Sequence, residues 1–283
     1  MSELPEGFQF SQGSLQDFVD CRRRFYLRSL IRLQWPAAQS EPMLEHERYL
    51  QQGSDFHRLA QQALLGLPVE RLAASVSGDD LERWWERFVE YLHQLTRAEP
   101  GSGWQLYPEI SLTAPLDGYR LIGKYDLIAV HPQGRLCIYD WKTSRQRSKR
   151  QTLEKRLQTR LYPYLLTRAG AFLNAGAPIQ PEQVEMVYWF AEHPQQPERF
   201  VYSSAAYQAD EAYLTSLIET VQRLDETDFT LTDNERLCAY CVYRSLCNRG
   251  VAAGDLAAFD AESDHDAPPS IDLDFEQIAE IDY

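Results

Sequence analysis

Four short patterns follow one another along the chain: Gly53-x3-His57, Gly123-x2-Asp126, Asp140-x-Lys142 and Gln158-x3-Tyr162. Asp126 and Asp140 lie in apolar surroundings, YDLIAV and CIYDWK, where a carboxylate is costly unless it is paired or bound to a cation. Magnesium is often held by only one or two protein carboxylates, with water and phosphate completing its shell. Lys142 follows Asp140 by two residues, so in a strand both side chains leave the same face. An ammonium in that position can orient an attacking water or offset charge on a phosphorane. The chemistry these residues suit is metal-assisted hydrolysis of a phosphodiester.

His57 can add an imidazole ligand and so favour manganese over a site built only of oxygen. Gln158 and Tyr162, four apart, share one face of a helix. Glu109, in YPEISL, suits either a supporting place beside the carboxylates or a strand surface.

Outside this set stand Cys21 and the tight triplet Cys238-x2-Cys241-x5-Cys247. Three thiolates on one loop are one short of a tetrahedral set, and Cys21 can supply the fourth; zinc and a 4Fe-4S cluster both accept four cysteines. Cys137 sits in an apolar strand and reads as core packing.

The elements that must position these residues are legible from periodicity. A helix is expected from Ser11 to about Leu33, with Ser14 as its cap. A second, from about Met43 to Leu65, carries His57, and a third begins at Asp79 or Asp80. Strands YPEISLTAPL and YRLIGKYDLIAV flank Asp117-Gly118, a hairpin turn signal, and RLCIYDWK follows. A long basic helix from about Lys149 to Asn174, strands VEMVYWFAE and ERFVYS, and a helix from Ala205 to Leu224 complete the series.

The chain has 283 residues, 44% hydrophobic and 25% charged, ordinary values for a globular protein. No apolar run approaches the roughly 18 residues that span a membrane, and MSELPEGFQF lacks an apolar signal region, so a cytoplasmic protein without membrane attachment is expected. The net charge of −14 runs against a nucleic-acid partner, but residues 251–283 hold ten acidic residues and no Lys or Arg. That leaves −4 on residues 1–250, read as one domain ahead of an acidic flexible tail. Between Lys142 and Arg160 the basic residues Arg145, Arg147, Lys149, Arg150, Lys155, Arg156 and Arg160 meet only Glu154, a stretch suited to tracking phosphates. Arg22, Arg23, Arg24 and Arg28 offer a second patch. The tail interleaves Ile271, Leu273, Phe275, Ile278 and Ile281 with acids, which favours docking to a partner over solubilisation or mimicry of DNA.

The ordered set of four patterns resembles the PD-(D/E)XK nuclease superfamily, and within it the RecB-like branch. The resemblance implies an α/β, restriction-endonuclease-like core of a helix, three strands, a helix and a strand. It also implies that His57, Asp126 and Asp140 bind Mg2+ or Mn2+, that Lys142 is catalytic, and that Gln158 and Tyr162 support the site and contact DNA. The cysteine arrangement is similar to the iron–sulfur nucleases of the AddB type and of CRISPR adaptation, which implies a 4Fe-4S cluster clamping both ends of the domain. Two departures stand at the entry helix: Arg22 replaces the usual Pro after Cys21, and Ser11 and Ser14 are spaced more widely than the usual Ser-x-Ser.

The function this implies is a metal-dependent DNA exonuclease, acting on single-stranded or frayed DNA in repair, recombination or CRISPR adaptation, with any strand separation left to a helicase or CRISPR-adaptation partner or to transient fraying. Two other readings compete with it. One is a non-catalytic iron–sulfur subunit that binds DNA within a helicase–nuclease complex; the other is a zinc-stapled RNA-processing protein.

Overall fold

The computed structural model describes residues 4–34, 41–97, 103–239 and 241–250 of the protein; the acidic tail lies outside the described residues. β1 (Gln9–Ser11), α1 (Gln12–Asp20), α2 (Arg22–Phe25) and a π-turn (Tyr26–Leu30) open the chain. Helices α3 (Glu41–Leu64), α4 (Val69–Ala73) and α5 (Asp79–Arg97) precede β2 (Gln105–Leu116), β3 (Tyr119–Val130) and β4 (Leu136–Lys142). Then come α6 (Arg150–Lys155), α7 (Leu157–Ala169), β5 (Val184–Phe190), β6 (Glu198–Val201) and α8 (Ser204–Arg223). A mixed α/β fold results, with the expected run of helix, three strands, helix and strand at its centre.

The β2–β3 hairpin forms because Asp117 and Gly118 both adopt positive φ, 50° and 80°, as a two-residue turn matched to strand twist requires. β3 is the hub of the sheet. It runs antiparallel to β2 along nearly its whole length. Its other edge is shared: β1 pairs in parallel with Arg120–Ile122, and β4 pairs antiparallel from Leu127 to Val130. β5 lies parallel to β4, and β6 antiparallel to β5.

All seven residues of β4 are buried, as expected of a central strand covered on both faces. Leu136 and Ile138 face a core shared with α1, α7 and α8, whereas Cys137, Tyr139 and Trp141 face α3 and α5. The second core is aromatic. Phe56 stacks on Trp189, and Phe88 meets Trp141 edge-on at 5.4 Å. Fully buried rings such as Trp84, Trp141 and Trp189 each remove about 200 Å² from water, a transfer gain of about 5 kcal/mol apiece before entropy is counted.

Four local expectations differ from the structure. The first helix is interrupted at Cys21, whose extended backbone (φ −160°, ψ 106°) ends α1 and starts α2. Its cap is Ser11 rather than Ser14: the Ser11 hydroxyl accepts from the Ser14 N–H, and Ser14 returns the bond, while Asp17 is drawn inside by Arg24 and Arg28. The long basic helix is two helices, because Arg156 is extended (φ −70°, ψ 144°) and buried between them. Strand β1 had no counterpart in the pattern; at three residues it is too short to show alternation, and only the buried pair Phe8 and Phe10 hints at it. Among the described residues no helix is long and apolar enough to cross a membrane.

Glu192, just past β5, ties this frame to α5. Its carboxylate accepts from Arg83, from Trp84 Nε1 at 2.8 Å and from Arg87 at 2.7 Å. Burial pushes the carboxyl up, but these donors outweigh it and hold its pKa down to about 2. Stability from this cluster is therefore present above the unfolded value of 4.5 and drains away as pH falls toward 2. Glu192→Gln should lower unfolding free energy at pH 7 by on the order of 2 kcal/mol. Urea titrations across the acid range should show parent and variant converging as pH approaches 2.

Candidate active site

β3 and β4 stop pairing where the site begins. Leu127 is opposite Tyr139, and continuing that register places Asp126 opposite Asp140. There the ladder is completed by a side chain: the Trp141 N–H donates to Asp126 Oδ2 at 2.7 Å. On the far edge of β3, Pro108 pairs with Leu127 and Ile110 with Tyr125, which makes Glu109 the residue facing Asp126. Three acidic residues thus form one row across three strands.

The same row is a phase break. Tyr107 and Ile110 of β2, three residues apart, both pack on the α7 side, and so do Tyr125 and Ile128 of β3. Leu106 and Leu127 lie on the other face. Glu109 takes up the switch in β2 with φ 52°, a strained backbone for a residue with a Cβ, costing on the order of 1–2 kcal/mol. Such distortions re-aim side chains at the cost of ladder bonds.

His57 approaches this row from α3. Gly53, one turn earlier, explains how: a Cβ there would stand 3.2 Å from Thr143 Oγ1, so glycine lets α3 lie close against the segment after Lys142. Tyr49 on the same helix donates to the Thr143 carbonyl. His57 Nδ1 lies 3.3 Å from Asp126 Oδ1. His57, Glu109 and Asp126 each bring a ligand atom within 4.8 Å of the others, a group that could hold a metal ion. Burial raises the Asp126 carboxyl, but His57, the Trp141 N–H and Lys142 more than offset this and hold it below the usual range. Glu109 moves the other way, raised first by burial and then by the negative charge of Asp126, with Lys124 opposing. Two carboxylates facing each other beside an imidazole make a place suited to a cation.

Asp140 is not part of that group of donors. It belongs to a second, buried cluster with Lys142 and Gln158, each 2–4% exposed. The Lys142 ammonium stands 3.0 Å from Asp140 Oδ2. Gln158 bridges the two, its Nε2 donating to Asp140 Oδ1 and its Oε1 accepting from Lys142 at 3.1 Å. A carboxamide is the group that can donate to an acid and accept from an ammonium at once.

Tyr162, one turn along α7, packs its ring 4.6 Å from that of Tyr125, and Tyr125 donates to its carbonyl at 2.9 Å. Gly123 makes room for this, since a Cβ there would lie 3.0 Å from Leu165 and 3.4 Å from the Tyr162 ring. The glycine and tyrosine of two separate patterns are thus one packing contact.

The basic stretch is partly committed elsewhere. Arg147 and Arg150 both pair with Glu198, and Arg160 with Asp210. Arg156 is buried, whereas Arg145, Lys149 and Lys155 are exposed. Arg145 lies over the Tyr49 ring at 4.8 Å and 3.6 Å from Asp80. In the arginine-rich entry helix, Arg24 is buried against Asp17 at 2.6 Å. One exposed cation at the site was missed by sequence reasoning: Lys124, whose ammonium is 2.7 Å from Glu109 Oε2. Its place inside the Gly123-x2-Asp126 spacing was the available signal.

The cysteine segment folds back on the first helices. The Tyr243 hydroxyl donates to the Leu33 carbonyl at 2.8 Å, the Arg23 N–H to the Thr230 carbonyl at 3.0 Å, and Phe229 stacks against Phe25 and Tyr26. Burial raises the thiols of Cys238, Cys241 and Cys247, the last to about 11. Cys137 is buried apart from them, its Sγ 3.7 Å from Glu185.

Residues 9–248 match the PD-(D/E)XK nuclease superfamily, and the chain belongs to it. No curated protein matches it. Among solved structures it is similar to that of SSO0001, at 15% identity and TM-score 0.40, covering 87% of this chain and 88% of that one. It is also similar, at 11% identity and TM-score 0.46, to a Eubacterium rectale protein described provisionally as an exonuclease, covering 77% and 81% of the two chains.

Two substitutions test the packing of the site. Gly123→Ala should cost on the order of 1–3 kcal/mol by forcing Leu165 and Tyr162 outward. Gln158→Ala should cost about as much by leaving Asp140 and Lys142 without their bridge. Thermal unfolding measures both, and a variant as stable as the parent would remove that contact from the account.

Proposed function

We propose that this protein is a divalent-cation-dependent deoxyribonuclease that hydrolyses DNA from ends, acting on single-stranded or frayed substrate. The observation that carries the reading is the row Glu109–Asp126–Asp140, with His57 on one side and Lys142 on the other. His57, Asp126 and Glu109 would hold Mg2+ or Mn2+, with Asp140 beside them on the opposite strand fixing Lys142 at the edge of the site. The bound cation would supply an activated water and neutralise charge on the phosphate. Lys142 acts from a fixed position: Gln158 and Asp140 hold its ammonium against the site, where it orients the attacking water and offsets charge on the phosphate oxygens. Exposed Arg145, Lys149 and Lys155 offer sequence-independent contacts to the strand's phosphates.

Cys21, Cys238, Cys241 and Cys247 hold a 4Fe-4S cluster in the same reading. The support is the spacing of the cysteine triplet and the way its loop is tied down beside the helices that flank Cys21. Its role is structural, because hydrolysis needs no electron transfer.

Asp140→Ala should abolish cleavage of end-labelled DNA in Mg2+ or Mn2+, and so should the isosteric Asp140→Asn, which keeps the packing and whose folding circular dichroism checks. Lys142→Ala should lose most turnover while keeping DNA binding. Parental rates in any of these variants would reject the site. RNA of the same sequence, run alongside, should be spared; preferential RNA cleavage would move the substrate class.

For the cluster, anaerobically purified protein should be brown with about four irons and acid-labile sulfide per chain. Cys241→Ala should lose the colour and Cys137→Ala should keep it, whereas stoichiometric zinc in a colourless, active preparation would replace iron by zinc.

A further inference from the structure

Lys124 differs from Lys142, Arg147, Arg150 and Arg160. Lys142 is buried and held by two partners, and Arg147, Arg150 and Arg160 are paired with acids away from the row. The Lys124 side chain is 69% exposed, and its ammonium lies 2.7 Å from Glu109, whose own side chain is only 13% exposed. Glu109 is at the same time one of the three donors that could share a cation. Two positive charges therefore compete for one carboxylate. An ion pair to an exposed lysine contributes only about 0–1 kcal/mol, so the lysine is the weaker competitor. Its long stem is rooted on β3 two residues before Asp126, so an ammonium released from Glu109 stays within reach of whatever phosphate is bound there.

Resting on the nuclease reading above, we propose that Lys124 is an exchangeable counter-ion. It neutralises Glu109 in the metal-free protein and, once Glu109 is given over to a divalent cation, contacts a backbone phosphate of the nucleic acid strand. The contact to nucleic acid is thereby made conditional on the loaded site, and the empty site keeps its charge balanced without drawing DNA in.

Two binding measurements on Lys124→Met test this without relying on turnover. Titration with Mn2+ alone, followed by electron paramagnetic resonance, should show the variant binding about fivefold tighter, the effect of removing one positive charge a few ångströms away. Binding of oligo(dT) should then be followed against salt, once with Ca2+ and once with EDTA. With Ca2+ the parent's slope of log affinity on log salt should exceed the variant's by about 0.7, one phosphate contact on a single strand. With EDTA the slopes should coincide. Lys124→Arg should restore the Ca2+ slope.

Equal or weaker Mn2+ binding by Lys124→Met, or a slope difference that persists in EDTA, overturns the exchange. A parent protein that binds no Mn2+ at all sinks the nuclease reading beneath it. A parent that binds Mn2+ and cleaves DNA while remaining indifferent to Lys124→Met leaves that reading standing and removes this one.

Discussion

Asp126 takes over a main-chain role, and the geometry of the site follows from it. A side-chain oxygen accepts the Trp141 N–H that a β3 carbonyl would otherwise serve. Two strands can then part without leaving a buried donor unmet, which in a water-poor interior would cost on the order of 1–3 kcal/mol. The opening lies between β1 and β4 on the same edge of β3, so it is bounded by paired strand on both sides. On the other edge Glu109 accommodates the same disturbance through its backbone. The sheet is thus continuous above and below a single disrupted row, which holds acids close together on a rigid support.

Charge is divided between two neighbouring clusters of different character. The His57, Glu109 and Asp126 group is partly open and electrostatically uneven, one carboxyl held down and the other pushed up. The Asp140, Lys142 and Gln158 group is buried and internally matched. In a low dielectric an ammonium beside an acid is fixed in place only if its remaining bonds are satisfied, and the Gln158 carboxamide serves both partners. Rigidity in one cluster and exchangeability in the other suit a site where one charge must stay still while others are traded with solvent.

Much of this was legible in the residues. Alternation and the Asp117-Gly118 turn placed β2 and β3, and the buried acid and lysine two apart marked β4. Packing partners at long range were not legible. Nothing local to Gly123 announces Tyr162 as the ring it makes room for, although both belong to recognisable spacings. Arg147, Arg150 and Arg160 read as free charge because Glu198 and Asp210 stand about fifty residues downstream. The interruption at Arg156 falls within a run of good helix formers, where tertiary contact overrides local preference, and that at Cys21 follows the weaker formers Val19 and Asp20. Glu109 was undecided for a similar reason, since its importance lies in facing Asp126 across a hairpin rather than in its neighbours.

The contact between Tyr243 and Leu33 spans 210 residues, and it has a temporal consequence. A chain emerging from a ribosome at about 5–20 residues per second makes its first helices roughly 10–40 s before the segment that covers them. Throughout that interval the faces of Phe25 and Tyr26 that meet Phe229 have no cover, while β2 to β5 are all completed before Phe229 is made. The sheet can therefore form first and the two ends of the chain last. Closure of the ends must wait for the covering segment, and an incompletely synthesised molecule would carry the paired strands and their acidic row with an unsealed edge.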